Sequence, residues 1–500
     1  MRAPRSRTTA ALLSAVVAAP VLFAAASPAG AQDAAPSDRH RTTQAEKAEQ
    51  LAKKLVKKST GKSAHRHLEK FQQIADAHGG NRAAGTPGHK ASTRYVYDRL
   101  KKAGYKVSYQ DFTFYTSQTL REGASVLSPE ARKLNALAFD FSKSTPEGGL
   151  TAPVAAARVD DSPGCEADDY TSDTFTGKIA LVKRGTCTFA EKEAAATKAG
   201  AVGLVLYNHS GDAPVKGNLE TPDNAHIPAV GITKAEGEKL AEQVKQGEVK
   251  LSLDVATKAI PHKTRNVVAE TRGGRADRVV ALGAHLDSVE EGPGINDNGS
   301  GSAGLIEVAE KLAKETKGGK KLAHKVRFAW WSAEELGLLG SDHYVKTLSA
   351  KQKKNIKLYL NFDMIASPNA AELVYDGDDS DKTGAGAGPA GSAQIEKLIN
   401  GFLDKKKVPH WGTDFDGRSD YGAFIATGIP AGGTFTGAEG LKTEEQAAKA
   451  GGRAGQPYDP NYHAKGDDIK NINRKAFDVN IDVIANAVGT YAQDLSSLKR

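Results

Sequence analysis

The sequence predicts an α/β fold: a mixed central β-sheet flanked by helices, with a smaller α/β unit set into it. Three observations lead there. From Arg265 onward, apolar strand-like runs alternate with helical segments. Between about Ser117 and His262 the character changes to short Val/Ile/Leu runs separated by two Ala/Lys-rich helices. Acidic and imidazole side chains fall just past the ends of successive apolar runs, where open α/β sheets place their ligands.

The chain has 500 residues, too many for one ordinary core, and this points to two domains with processed ends. Arg2, Arg5 and Arg7 precede an apolar run from Ala10 to Ala26, followed by Ala29-Gly30-Ala31. That is the pattern of a secretory signal peptide over 1–31, so a secreted, extracellular protein is expected. A Lys-rich stretch follows over 32–62 and reads as a flexible leader or propeptide. No later run is long and apolar enough to span a bilayer, so no membrane anchor is expected. The formal net charge of +8 is spread, with no basic patch carrying interleaved aromatics, so nucleic acid is not an expected partner. The protein is expected to be a monomer. Its two cysteines, Cys165 and Cys187, are expected to form a disulfide in an oxidising compartment.

Residues 63–116 read as two helices and a strand. The second helix spans about His89 to Ala103 and stops at Gly104, and Tyr105 to Phe114 alternates as a strand does. Within 117–262 the strand candidates are Ile179–Val182, Val202–Leu206 and Ile227–Ile232, and the helices lie near Glu191–Ala199 and Lys234–Lys245. Farther on, the strand Arg278–Gly283 leads to His285, Lys325–Trp331 to Glu334, and Ile356–Phe362 to Asp363. Helices are expected over Ser302–Glu315, Leu336–Leu348 and Arg474–Leu495. Gly384–Gly391 and Gly437–Gly455 read as loops and lack the lysine and spacing of a phosphate loop.

The chemistry-bearing residues are His285, Asp297, Glu334, Glu335, Asp363 and His463. His285 closes an apolar strand, a rigid seat for an imidazole ligand. Asp287, two positions on, can orient that ring from behind. Asp297 lies in Gly294-Ile295-Asn296-Asp297-Asn298-Gly299. Asp-Asn-Gly is a common turn, but a carboxylate held in such a turn is also what a bridging ligand needs if two metals stand ~3.5–4 Å apart. Glu334-Glu335 is the most telling pair: adjacent acids repel, and here they follow the apolar Phe328-Ala329-Trp330-Trp331. Neighbouring positions point different ways, so Glu335 can ligate metal while Glu334 faces substrate as a general base. Two histidines with Asp297, Glu335 and Asp363 make a nitrogen and oxygen donor set suited to two zinc ions, though also to cobalt or manganese. The pattern reads as a metallo-exopeptidase.

These segments resemble the secreted bacterial zinc aminopeptidases of peptidase family M28. The matching strings are Gly283-Ala284-His285-Leu286-Asp287-Ser288, Gly294-Ile295-Asn296-Asp297-Asn298-Gly299, Ala333-Glu334-Glu335-Leu336-Gly337, Leu360-Asn361-Phe362-Asp363-Met364, Gly417-Arg418-Ser419-Asp420-Tyr421, Tyr458-Asp459 and Tyr462-His463. The resemblance implies a zinc-exopeptidase fold (phosphorylase/hydrolase-like) over 63–116 and 263–500. It implies one zinc on His285 and Asp363, another on Glu335 and His463, and Asp297 bridging them. It also implies Glu334 as base and then acid, Tyr462 polarising the scissile carbonyl, and Arg418 and Asp363 near the substrate's amino end. A cis peptide at Asp297–Asn298 belongs to the same pattern, as does calcium at Asp478 and Asp482, although an i, i+4 acid pair is ordinarily plain surface.

Residues 117–262 resemble an inserted protease-associated (PA) domain through Gly177-Lys178-Ile179-Ala180-Leu181-Val182-Lys183-Arg184-Gly185 and Lys198-Ala199-Gly200-Ala201-Val202-Gly203. A Cys165–Cys187 disulfide fits that domain. The activity implied is release of the first residue from peptides or proteins with a free α-amine. Related di-zinc dipeptidases, carboxypeptidases and glutaminyl cyclases are the rival hydrolases, and an inactive PA/peptidase-fold binding protein is the rival from another class. A serine hydrolase is disfavoured because no G-x-S-x-G elbow is present.

Overall fold

The computed structural model describes residues 36–171 and 174–498. The expected signal peptide, 1–31, lies outside the described residues. Residues 44–498 lie within one compact unit, and residues 1–43 contribute to the description only the opening turns of the helix Pro36–Lys58.

The central sheet has eight strands in the spatial order Lys106–Arg121, Ala256–Glu270, His324–Trp331, Arg275–His285, Ile356–Phe362, Ala431–Phe435, Glu372–Tyr375 and His410–Thr413. The four strands from His324–Trp331 to Ala431–Phe435 run parallel; both pairs on the Lys106–Arg121 side are antiparallel. Strand Arg275–His285 shows why its apolar run is unbroken. Val280, Leu282 and Ala284 face one core layer while Val279 and Ala281 face the other, so both pleat faces are dry. Helices Gly61–Ala77, Pro87–Ala103, Gly299–Thr316 and Arg474–Tyr491 cover the first face. Leu339–Thr347 and Gly422–Ala426 contribute to the second.

The smaller unit carries its own eight-stranded sheet. Leu150–Ala156, Ile179–Lys183, Gly203–Tyr207 and Ala229–Ile232 are its parallel centre, flanked by helices Phe189–Lys198 and Lys234–Gln246. Cys165 and Cys187 are joined, with their Cα atoms 6.0 Å apart. The two long strands Lys106–Arg121 and Ala256–Glu270 pair along nearly their whole length as an arm between the two sheets. The junctions expected near 117 and 262 fall inside these strands, because alternation in an exposed arm carries no mark of where one core ends.

The Lys-rich stretch departs from expectation. Most of it is the helix Pro36–Lys58 rather than a flexible leader. Ala48, Leu51, Ala52 and Leu55 repeat at helical spacing and are buried, Leu55 completely. A side chain at Gly489 would meet Ala52 Cα at 2.4 Å, so the helix docks where the last helix offers bare backbone. The lysines that mask this stripe in the sequence lie on the other side. Two further departures are small. Gly437–Gly455 contains a short helix, Glu444–Ala450, and the helix expected from Leu336 starts at Leu339 because Leu338 takes a positive φ of 62°.

Glu372, the first residue of the strand Glu372–Tyr375, is a buried acid outside the strand-end group of Glu334, Glu335 and Asp363. It accepts from Asn480 Nδ2 on the last helix at 2.7 Å, and burial pushes its carboxyl from 4.5 to about 8. The folded chain therefore holds this proton more tightly than the unfolded chain. The resulting stability is present below the ordinary carboxylate range and is lost as pH climbs through about 8. Denaturant midpoints at pH 6 and pH 9 should fall with pH in the wild type and fall less in Glu372→Gln.

Candidate active site

Parallel register aligns the ends of three strands. His285 lies opposite Trp331, and Gly283 lies opposite Asn361, so Asp363 and the segment after Trp331 emerge at the level of His285. Three non-glycine residues with positive φ mark this rim: Ala333 just before Glu334, Met364 just after Asp363, and His463 itself. Such backbone costs ~1–3 kcal/mol per residue and persists where surrounding contacts over-determine it.

The turn holding Asp297 is built tightly. The Asp297–Asn298 peptide is cis. Asn298 caps helix Gly299–Thr316 by accepting from Gly301 N at 2.9 Å, and its Nδ2 donates to Phe362 O at 3.0 Å. A Cβ at Gly301 would sit 2.2 Å from Phe362 O, so only glycine lets the helix start this close to the strand carrying Asp363.

The Asp297 carboxylate faces two imidazoles. Its Oδ1 is 3.1 Å from His285 Nε2 and its Oδ2 is 3.4 Å from His463 Nε2. Asp363 Oδ1 stands 3.3 Å from His285 Nε2, and Glu335 Oε2 stands 2.9 Å from His463 Nε2. Ligands ~2.0–2.2 Å from a tetrahedral zinc stand ~3.3–3.6 Å from each other, close to these separations. Ser419 Oγ donates to Asp363 Oδ2 at 2.6 Å, whereas Asp363 Oδ1 and Glu335 Oε1 are buried with no hydrogen-bond partner. Orphaned buried carboxylate oxygens beside imidazole nitrogens are costly unless a cation satisfies them, so the donor set fits divalent metal.

The electrostatics follow from this crowding. Burial pushes Glu334 well above the usual carboxylate range, and Asp363, Asp420 and Glu335 add to the rise. Burial, then Asp297, raises Glu335 to about 7. Hydrogen bonding to Asp297 and Glu335 lifts His463 to about 10. Glu334 Oε2 lies 3.8 Å from His285 Nε2, beside the donor set.

Asp287 differs in detail from expectation. The His285 ring nitrogen Nδ1 bonds to the Asp287 main-chain carbonyl at 3.1 Å, while the nearer carboxylate oxygen is 3.8 Å away. That carboxylate accepts from the amides of Glu334 and Glu335 at 3.3 and 3.4 Å, and so anchors the acidic pair. Tyr462 stacks on His463 with centroids 3.9 Å apart. Arg418 donates to the Tyr462 hydroxyl at 3.2 Å and to Glu439 at 2.8 Å. A cavity of about 80 Å³ lies against these groups, with Met364, Phe435 and Ala438 on its apolar side.

Asp478 and Asp482 stay apart from this centre. Asp478 accepts from Gly61 N at 2.6 Å, and Asp482 is paired with Lys406. Among the described residues no third carboxylate or imidazole joins them in a metal-sized group, and the lysine already neutralises one of the pair.

Three supporting residues escaped sequence reasoning. Asp467 accepts from the amides of Asn296 and Asp297 at 2.8 and 2.9 Å, tying the Asp297 turn to the loop that carries His463. Asp459 accepts from Asn296 Nδ2 at 2.7 Å, and Tyr458-Asp459 stood out in the sequence without a role. Arg82, completely buried, reaches the loop after His285 from the N-terminal segment.

The chain is similar to known proteins along most of its length. Residues 266–488 match peptidase family M28, and residues 150–240 match the PA domain. The chain is 44% identical over 432 residues to the probable lipoprotein aminopeptidase LpqL of Mycobacterium tuberculosis, covering 86% of this chain and 84% of that protein. It is 45% identical over 430 residues to leucine aminopeptidase 2 of Trichophyton tonsurans, covering 86% and 83%. Among solved structures, the aminopeptidase from Aneurinibacillus sp. strain AM-1 superposes with a TM-score of 0.65 at 25% identity, covering 90% of this chain and 98% of its own. BSAP, a zinc aminopeptidase from Bacillus subtilis, gives 0.53 at 27%, covering 88% and 99%. Likeness of this extent means that the chain belongs to peptidase family M28 and carries a PA domain.

Proposed function

We propose that His285 and Asp363 hold one zinc ion, Glu335 and His463 a second, and Asp297 one oxygen on each, in a metallo-aminopeptidase that releases the first residue of peptides with a free α-amine. The observation that carries this reading is the Asp297 carboxylate, whose two oxygens each face a different imidazole. Zinc bound there supplies Lewis acidity, polarising the scissile carbonyl and drawing the pKa of a water toward neutrality.

The chain's own groups do the rest. Glu334 takes a proton from the attacking water and passes it to the leaving amine, a role suited to a carboxyl whose burial favours the protonated form. Arg418 donates to the Tyr462 oxygen, which leaves the phenolic O–H free to donate to the carbonyl oxygen as negative charge builds there. A guanidinium beside an α-ammonium would repel it, so Arg418 acts through Tyr462, and the ammonium is held by Glu334 and Asp363. Export is part of the same reading: the N-terminal pattern and the Cys165–Cys187 disulfide both belong to an oxidising compartment. No calcium is assigned to Asp478 and Asp482.

Metal analysis and chelation test the proposal together. Purified protein is expected to hold two zinc ions per chain, to lose activity on chelation and to regain it with zinc. Leucine anilide is expected to be cleaved and its N-acetyl form left intact. Full activity in metal-free protein, or equal cleavage of the acetylated anilide, rules the reading out.

A further inference from the structure

A second cavity, of about 360 Å³, adjoins the metal-ligand cavity, and Glu335 is the one residue that lines both. Its size falls within the ~300–1,000 Å³ of ordinary ligand pockets. The long-stranded arm supplies one wall. There His262 stacks on Phe114 with centroids 5.1 Å apart and bonds to Thr116 Oγ1 at 2.9 Å, so the wall is ordered. Leu336, next to Glu335, lines the cavity while 47% exposed, among the few large apolar residues left open in the described chain. Glu290 and Glu291 also line the cavity; both are exposed, and among the described residues neither is in an ion pair.

The smaller cavity, bounded by Met364, Phe435 and Ala438, has room for little more than one side chain. A peptide whose first residue fills it, with the scissile carbonyl at the Asp297 cluster, can continue across Glu335, the residue that both cavities share. The larger cavity is what lies there, apolar at Leu336 and Phe114 and acidic at Glu290 and Glu291.

We propose that this second cavity binds the second and third residues of the peptide substrate and that Glu290 and Glu291 select a basic side chain there. The proposal rests on the aminopeptidase reading above and adds a substrate preference to it. Two uncompensated acids attract a lysine and repel a glutamate, and at an exposed site the difference is modest and weakened by salt.

Leucine release from the tripeptides Leu-Lys-Ala and Leu-Glu-Ala, compared at low ionic strength, provides the test. The wild type is expected to show kcat/KM at least about fivefold higher for the lysine peptide. The Glu290→Gln/Glu291→Gln double variant is expected to bring the ratio close to one, as is added salt for the wild type. Both side chains are exposed, and an unchanged melting temperature will confirm that the variant is folded. Equal rates in the wild type, or a ratio that survives in the double variant, overturn the subsite while leaving the aminopeptidase reading intact. No leucine from either peptide overturns both.

Discussion

Glu334→Gln should lower kcat by ~10²–10⁴-fold while leaving two zinc ions in place, because positioned acid–base groups contribute about that much. The proposed separation of roles rests on distances. Glu335 Oε2 points at His463 Nε2, 2.9 Å away, and Asp363 and Asp297 flank His285, whereas Glu334 stands 3.8 Å from the nearest imidazole nitrogen. Glutamine keeps the volume and the hydrogen-bonding reach of the side chain but cannot take a proton. Glu335→Gln is the informative contrast, since it weakens a ligand and should cost zinc as well as turnover. Measured zinc content and kcat for the two variants therefore assign the adjacent acids. If Glu334→Gln lost metal and kept its turnover per zinc, the roles would be reversed.

Four of the six chemistry-bearing residues, His285, Glu334, Glu335 and Asp363, were legible for a specific reason: they sit at or just beyond strand ends, and strand ends announce themselves as apolar runs that stop. His285 follows Val279–Ala284, Glu334 follows Phe328–Trp331, and Asp363 follows Leu358–Phe362, so their convergence follows from parallel register once the strands pair. Asp297 and His463 have no such lead-in; they sit in a Gly-flanked turn and in a polar loop after Tyr462. What supports the donors was much less visible. Asp467 acts through its carboxylate on two backbone amides, and an Asp in a Gly-Asp-Asp stretch looks like any polar turn. The Pro36–Lys58 helix hid because lysine dominates its composition while only every third or fourth residue is apolar. Composition averages over faces, and burial does not.

Arg82 is the clearest case of a residue whose importance lies wholly in folded contacts, and its replacement should have the second large effect. Its guanidinium is completely buried and donates to three main-chain carbonyls, those of Leu286, Pro293 and Gly294, the last two at 2.9 and 2.5 Å. Its own amide donates to Ser288 Oγ at 2.9 Å. These contacts fasten the loop that joins His285 to Asp297. Burial lowers its pKa to about 10, partly offset by Asp287, Asp467, Asp297 and Glu335, so the group stays charged at neutral pH and balances the acids around it. Removing one partner from a buried charge network costs ~3–5 kcal/mol, and each orphaned carbonyl adds to that. Arg82→Met, close in length but without donors, is expected to lose stability on that scale in denaturant unfolding and to bind zinc more weakly. Arg82→Lys should recover part of the stability, since an ammonium restores the charge but cannot span three carbonyls with a planar fork. Because the loss arises from a loosened loop rather than a missing ligand, excess zinc should restore activity to Arg82→Met in part. Wild-type unfolding and zinc affinity in that variant would show that the loop holds its shape without the buried cation.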